Sequence, residues 1–181
     1  MTQQFQQNEY IQAIRALILD VDGVLASPQL LYNDNGDEIK TFHIRDGLGL
    51  QLLRLAGFHI GIISGRESKA TVKRITELGI EHAFFGQKDK LPAYEALKKT
   101  FALEDHQIAY MGDDLPDLPL LKRVGLAITV SDAPDIIKQH AAWHVDMAAG
   151  NGAVRFVCEQ LLTAQNRYES VVQSYLLAQQ H

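Results

Sequence analysis

Five short runs of mostly apolar residues alternate along the chain with segments whose apolar residues recur three and four positions apart. The runs are ALILDV from Ala16, HIGIIS from His59, HAFFG from His82, QIAYMG from Gln107 and VGLAIT from Val124. Because they are apolar throughout, they are typical of strands buried on both faces of a parallel sheet. The intervening segments that indicate helices are DGLGLQLLRLAG from Asp46, ESKATVKRITELG from Glu67 and KLPAYEALKKTF from Lys90. This alternation predicts a doubly wound α/β fold with a parallel sheet.

One segment, between the first apolar run and the first helix, does not fit a strand-helix unit. Asn35-Gly36 lies between the strand-like pieces at 30–32 and 39–42, which predicts a β-hairpin flap at about 28–43. Two further helices are predicted, from Gly152 to about Leu162 and from about Tyr168 onward. The tail at about 165–181 has an apolar face that suits either the chain's own core or another subunit. With no internal repeat and no linker composition, residues 1–181 are predicted to form one domain.

Composition limits the classes of function. The chain has 181 residues, of which 46% are hydrophobic and 22% charged, so it can bury a sizeable core. A net charge of -5 offers no basic surface for nucleic acid or an anionic membrane, which favours a small-molecule partner. The single Cys158 lies in an apolar helical pattern and is expected to be a buried free thiol in a reducing compartment. Because neither a secretory signal nor a run of ~18 apolar residues is found, we expect a cytoplasmic protein.

Polar residues repeatedly follow the predicted strands at the edge where ligands bind in open α/β sheets. Two carboxylates at the end of the first strand repel by ~4 kcal/mol when ~4 Å apart at an effective dielectric of ~20, so a cation is expected beside them. The polar residues in question are Asp20 and Asp22 after the first run, Ser64, Gly65 and Arg66 after the second, Lys90 after the third, and Asp113, Asp114 and Asp117 after the fourth.

Each of these residues also has an ordinary explanation when it is taken singly. Ser64 could cap a helix, Lys90 could be a solvated helix lysine, and the sequence DDLPD could be an acidic turn at a helix start. Their coincidence at one edge favours phosphoryl transfer instead. A carboxylate nucleophile divides hydrolysis into formation and breakdown of an acyl phosphate, while a cation, an ammonium and a hydroxyl stabilise the transferring group. Oxygen ligands and phosphate favour Mg²⁺.

The stretches DVDGV, SGR, Lys90 and GDDLPD resemble, in order, the four motifs of the haloacid dehalogenase superfamily of phosphohydrolases. The resemblance implies that Asp20 is the nucleophile and that Asp22 is the general acid for the leaving alcohol and then the base for water. It also implies Mg²⁺ bound by Asp20, the backbone carbonyl of Asp22, and Asp113. Asp114 or Asp117 would support the metal ligands or Lys90. Ser64 and Lys90 would hold phosphoryl oxygens.

The spacing of the motifs leaves no room for an inserted cap domain. Asp22 and Ser64 are 42 positions apart, and Ser64 and Lys90 are 26 apart, and both intervals are filled by predicted elements. From about Arg15 to Leu162 the chain resembles the capless subset that includes the 3-deoxy-D-manno-octulosonate 8-phosphate phosphatases. This implies hydrolysis of a phosphorylated 3-deoxy-2-keto sugar acid, a place in lipopolysaccharide biosynthesis, and a homotetramer in which a neighbour closes the site. The residues implicated in the substrate pocket are Gly65, Arg66, His43, Arg45, Asp46 and Lys88.

Two departures from the subset's pattern leave the sugar open. Where members show Gly-Arg-Gly-Ala-Val-Arg-Glu, this chain has Asn151 for the first arginine and Phe156 for the glutamate. Loss of a guanidinium would remove a bidentate contact to a substrate carboxylate. The alternatives are a phosphatase of a nine-carbon keto sugar acid 9-phosphate, a receiver-like phosphate-binding module and a non-catalytic assembly protein.

Overall fold

A parallel sheet of six strands forms the centre of the protein. The computed structural model describes residues 9–179; residues 1–8 of the predicted domain, and residues 180–181 of the predicted tail, lie outside this part of the chain. Its strands are β1 (Ala16–Leu19), β4 (His59–Ile63), β5 (Ala83–Phe84), β6 (Ile108–Met111), β7 (Leu126–Thr129) and β8 (Trp143–His144). The sheet has the order β5-β4-β1-β6-β7-β8, and every neighbouring pair is parallel.

The five predicted strands are confirmed, and the structure adds a sixth. β1, β6 and β7 are buried along their whole length, in agreement with their unbroken apolar runs. β8 has only two residues, of which Trp143 is buried and His144 exposed. So short an edge strand produces no periodic pattern, which explains why the sequence does not predict a strand there.

Helices connect the strands and cover the sheet. They are α1 (Glu9–Ala13), α2 (Ile44–Leu55), α3 (Lys69–Glu77), α4 (Leu91–Phe101), α5 (Leu118–Leu121), α6 (Asp135–Lys138), α7 (Ala153–Ala164) and α8 (Tyr168–Ala178). α2 packs against α7 and α8, whereas α4 packs against β4 and α5. No helix within residues 9–179 is long and apolar enough to cross a bilayer.

The predicted hairpin is present with shorter arms than the sequence indicates. β2 (Leu31–Tyr32) pairs antiparallel with β3 (Glu38–Ile39), and a five-residue loop joins them. In that loop the Asn33 carboxamide oxygen accepts the N–H groups of Asn35 and Asp37 at 3.0 and 2.8 Å. After Ile39 the chain leaves the hairpin, and Phe42 forms an isolated bridge with Ala26, beyond the end of β1. This bridge holds the base of the hairpin near the carboxyl edge of the sheet.

The C-terminal helix α8 is docked on its own chain along one side only. Val171 is buried, whereas Leu176 and Leu177 on the same helix are exposed. Cys158 on α7 is fully buried and free, as predicted.

Candidate active site

Segments that follow three of the strands bring an acidic cluster and a lysine together at the carboxyl edge. Asp20 comes directly after β1, and Lys90 precedes α4. The Lys90 ammonium lies 3.0 Å from Asp20 Oδ1 and 2.5 Å from Asp117 Oδ1. Carboxylate oxygens of Asp20, Asp113 and Asp117 all lie within 4.8 Å of one another. β1 pairs with both β4 and β6, so the cluster lies where the strand order reverses, as expected for this class of sheet.

Asp117 is fully engaged by hydrogen bonds inside the cluster. Its Oδ1 accepts from Lys90 Nζ and from the Tyr110 hydroxyl, and its Oδ2 accepts the backbone N–H groups of Asp113 and Asp114 at 3.0 and 3.2 Å. Because both oxygens have protein donors, Asp117 supports the neighbouring residues more readily than it could bind an ion. Asp114 is exposed, and its carboxylate caps the 3₁₀ turn Leu115–Asp117.

Burial and mutual repulsion disfavour ionisation of the central carboxylates. Burial, with repulsion by Asp117, raises the pKa of Asp20 to about 7, although Lys90 acts in the opposite direction. Burial, with repulsion by Asp20 and Asp117, raises the pKa of Asp113 to about 8. Burial also opposes the charge of Lys90, but Asp20 and Asp117 outweigh it and raise the pKa of that ammonium. A bound cation would relieve this repulsion.

The donor set of the cluster fits Mg²⁺. Asp113 Oδ1 is buried and has no hydrogen-bond partner among the described residues. A Cβ placed on Gly23 would lie 1.9 Å from Asp113 Oδ2, so the Asp113 carboxylate occupies space that only glycine leaves. The available ligands are all oxygen atoms, which Mg²⁺ prefers. Asp20, Asp113 and the backbone carbonyl of Asp22 are therefore suitable to hold it.

The hairpin contributes a lysine that the sequence interpretation did not select. The Lys40 ammonium forms an ion pair with Asp22 Oδ1 and lies 3.1 Å from Glu38 Oε1. Glu38 Oε2 in turn accepts from Arg66 Nη2 at 3.0 Å. Residues two apart on a strand face the same way, so the pair Glu38 and Lys40 could have indicated a charged face on the hairpin. Tyr110 was also missed, although a tyrosine in a buried strand needs a hydroxyl partner.

Four of the predicted site residues follow β4 and β5, the two strands on one side of β1. They are Ser64, Gly65, Arg66 and Lys88. Ser64 is fully buried, and its hydroxyl donates to the Arg66 carbonyl at 2.8 Å. It does not cap a helix, because Ser68 is the N-cap of α3. Arg66 is exposed beside the hairpin, and Lys88 is exposed between β5 and α4.

The surroundings of the other three predicted pocket residues differ from those of the acidic cluster. These residues are His43, Arg45 and Asp46. His43 and Arg45 line a cavity of about 520 Å³ whose walls do not include the acidic cluster. Asp46 is fully buried, and its Oδ1 accepts the Arg155 N–H at 2.7 Å in the first turn of α7. Burial raises the pKa of Asp46. Its observed contacts join α2 to α7, so a role in the substrate pocket stays a prediction.

The two departures from the subset's pattern lie in the wall of that same cavity. Asn151 and Phe156 both line it, together with Arg155 and Glu159. Arg155 is held by Glu159, with Nε and Nη2 at 2.7 and 2.6 Å from Glu159 Oε1. Phe156 packs near Trp143, with ring centroids 6.1 Å apart.

Comparison with known proteins identifies the family to which the chain is similar. A sequence profile of haloacid dehalogenase-like hydrolases matches residues 84–157. The chain is 41% identical over 156 residues to the 3-deoxy-D-manno-octulosonate 8-phosphate phosphatase of Salmonella typhi, which covers 86% of this chain and 83% of that protein.

Solved structures agree with the sequence matches. A protein described as a haloacid dehalogenase superfamily hydrolase from Legionella pneumophila gives a TM-score of 0.90 at 45% identity, over 93% of this chain and 92% of that one. The 3-deoxy-D-manno-octulosonate 8-phosphate phosphatase of Moraxella catarrhalis gives 0.89 at 38% identity, over 97% and 99% of the two chains. That structure contains a magnesium ion, a phosphate ion and a 3-deoxy-D-manno-octulosonate molecule.

Proposed function

Because this chain belongs to the haloacid dehalogenase-like hydrolases, we propose that it is a magnesium-dependent phosphatase of a phosphorylated 3-deoxy-2-keto sugar acid. The first candidate substrate is 3-deoxy-D-manno-octulosonate 8-phosphate, the compound in the names of its relatives. The observation that carries the proposal is the buried cluster in which Lys90 contacts Asp20 and Asp117 beside Asp113. This is a carboxylate nucleophile with an adjacent ammonium and a set of oxygen ligands.

The first half of the reaction transfers the phosphoryl group to Asp20. A carboxylate oxygen of Asp20 attacks phosphorus, the bond between phosphorus and the sugar oxygen breaks, and its electron pair stays on that oxygen. Asp22 donates a proton to the leaving oxygen. The Lys90 ammonium and the Ser64 hydroxyl donate hydrogen bonds to phosphoryl oxygens. Mg²⁺ held by Asp20, Asp113 and the Asp22 carbonyl would supply positive charge that offsets repulsion between the phosphate and the attacking carboxylate.

The second half releases phosphate. Asp22, now ionised, takes a proton from water while the water oxygen attacks phosphorus, and the bond between phosphorus and the Asp20 oxygen breaks. Asp20 recovers its carboxylate, and Asp22 is protonated again by the proton from water, which replaces the one given to the leaving alcohol. Asp117 keeps Lys90 and the Asp113 backbone in place through its four hydrogen bonds.

For the substrate, we propose that Arg66 and Lys88 contact the sugar acid beyond the phosphate. Arg66 is 45% exposed, is next to Ser64 and Gly65, and already binds the carboxylate of Glu38, which is the type of group that a keto acid presents. His43, Arg45 and Asp46 remain candidates for a pocket that is completed by a second subunit.

We also propose a homotetramer assembled through the hairpins, each chain acting as one domain with no cap of its own. Support comes from the exposed apolar side chains of the hairpin, since four such residues lie together there without cover: Leu30, Leu31, Tyr32 and Ile39. Exposed Leu176 and Leu177 on α8 would allow the tail at 165–181 to reach a neighbour. The buried free thiol of Cys158 is consistent with a cytoplasmic location.

A screen of phosphate release with Mg²⁺ tests the function. We expect turnover of 3-deoxy-D-manno-octulosonate 8-phosphate or a nine-carbon keto acid 9-phosphate, and loss of at least about 1,000-fold in kcat in Asp20→Asn. Asp135→Asn, an exposed aspartate on α6, is the control and should retain activity. If no keto sugar acid phosphate is hydrolysed, the substrate proposal is wrong, and an active Asp20→Asn enzyme would exclude the mechanism. Light scattering should give about four times 20.2 kDa.

A further inference from the structure

A chain of alternating charges connects the hairpin to the proposed general acid. It runs from Arg66 through Glu38 and Lys40 to Asp22. The Lys40 side chain is only 2% exposed, although lysine normally keeps its ammonium in water. A buried ammonium is tolerated only when it is paired, and here two carboxylates pair with it. Lys40 is therefore held in a defined position and is not a mobile surface lysine.

The two oxygens of Asp22 have different surroundings. Lys40 binds Oδ1, whereas Oδ2 is buried with no hydrogen-bond partner among the described residues. One oxygen is thus fixed by the hairpin, and the other is left to exchange a proton with a bound group.

We propose that Lys40 is a positioning residue for the reaction, which holds the Asp22 carboxylate so that Oδ2 faces the leaving oxygen and then the attacking water. This inference rests on the proposed role of Asp22. It assigns the hairpin a part in the chemistry of its own subunit, in addition to any part in assembly. Glu38 shares its carboxylate between Lys40 and Arg66, so the same contacts set the position of a proposed substrate-binding arginine.

The alternative is that the ion pair only fastens the hairpin to the sheet. The two possibilities differ in which chemical step they affect. Attack by Asp20 on p-nitrophenyl phosphate needs no general acid, because nitrophenolate leaves without a proton. Breakdown of the phosphorylated enzyme still needs Asp22 as a base. A positioning role therefore predicts that the first step survives loss of Lys40 and that the second step slows.

The experiment compares Lys40→Met, Lys40→Arg and Lys73→Met by rapid-mixing kinetics with p-nitrophenyl phosphate and Mg²⁺. Lys73→Met is the matched control, since this lysine of α3 is 78% exposed and also pairs with one glutamate. For Lys40→Met we expect a burst of one nitrophenolate per active site, followed by turnover about 100-fold slower than wild type. Lys40→Arg, which keeps the charge, should recover part of the rate, and Lys73→Met should match the wild type.

Two results would overturn the inference. One is a nitrophenolate burst in Lys40→Met that is reduced, relative to wild type, by the same factor as the turnover rate. That result would mean that loss of Lys40 disorders the whole site. The other is turnover by Lys40→Met equal to that of Lys73→Met. Because the probe is p-nitrophenyl phosphate, the test is decided even if no keto sugar acid phosphate is a substrate, and that failure would count against the proposed function alone.

Discussion

The substitution Gly23→Ala, which adds a single methyl group, should weaken Mg²⁺ binding by an amount that a loss of folding stability alone does not explain. The residue has φ +91°, and an added Cβ would lie 1.9, 2.2 and 2.5 Å from the three carboxylate atoms of Asp113. Contacts below 3.0 Å are essentially never seen for a real Cβ, so the carboxylate of Asp113 must retreat by at least about 1 Å. Mg²⁺ requires near-ideal octahedral geometry at ~2.0–2.1 Å, and a ligand displaced this far no longer binds it.

Gly57 provides the matched control for Gly23→Ala. It has φ +80°, and nothing lies within 4 Å of the place that a Cβ would take, so Gly57→Ala carries the backbone strain of ~1–2 kcal/mol without the collision. We expect both variants to lower the free energy of unfolding of the metal-free protein. Only Gly23→Ala should weaken Mg²⁺ binding, by about 100-fold, as measured by calorimetric titration. Equal Mg²⁺ affinities in the two variants would refute the assignment of Asp113 as a ligand.

Three further predictions follow from the ionisable and thiol groups. Asp20 and Asp113, with ordinary pKa values of 3.8, titrate near about 7 and about 8 in the folded protein, so the unfolded chain loses these protons first. The metal-free protein should therefore lose thermal stability as pH rises from about 4 to about 8, and the increase in Tm on adding Mg²⁺ should be larger at pH 8 than at pH 6; the reverse trend would contradict it. Burial opposes ionisation of Asp105, but hydrogen bonds from Arg123, Lys98 and Tyr94 lower its pKa to about 2. Asp105→Asn should lower the urea midpoint at pH 7, and this difference should shrink as pH falls below about 4; a difference independent of pH would argue against the ion pairs. Burial raises the pKa of the Cys158 thiol well above its usual range, so a thiol reagent should label it only after denaturation, and fast labelling of the folded protein would disprove its burial.

The strands were predictable because burial on both faces leaves a direct record in the sequence. Every residue of β1, β6 and β7 is buried, and each run is unbroken by charged side chains. The length of the hairpin arms was not predictable from the sequence, because the chain leaves the β-ladder at Lys40 and Thr41, where tertiary contacts determine its path. Phe42 bridges to Ala26, and Lys40 turns inward to Asp22. Neither contact has a local signal in the sequence.

The candidate site was predictable to the extent that parallel strands align their ends. Asp20, Lys90, Asp113 and Asp117 each follow a strand or begin the next helix, so placing the strands also places these side chains. Lys40 lies on a flap whose position depends on packing, so even a charged face shared with Glu38 would not have shown that this lysine reaches Asp22. The structure was also needed to separate the supporting role of Asp117 from the metal-binding role of Asp113, because only the hydrogen bonds to Asp117 distinguish the two aspartates.

The four carboxylates of the site carry more negative charge than its two lysines can neutralise, and a divalent cation would supply the difference. Asp20 and Asp117 share Lys90, and Asp22 is paired with Lys40, so three of the four carboxylates have an ammonium partner. Asp113 has no such partner among the described residues, and its Oδ1 is buried without a hydrogen bond from them. Four carboxylates against two ammonium groups leave a formal charge that one divalent cation would balance, beside Asp113. The same balance of charges gives Lys40 its importance: without it, Asp22 would have no ammonium partner among the described residues.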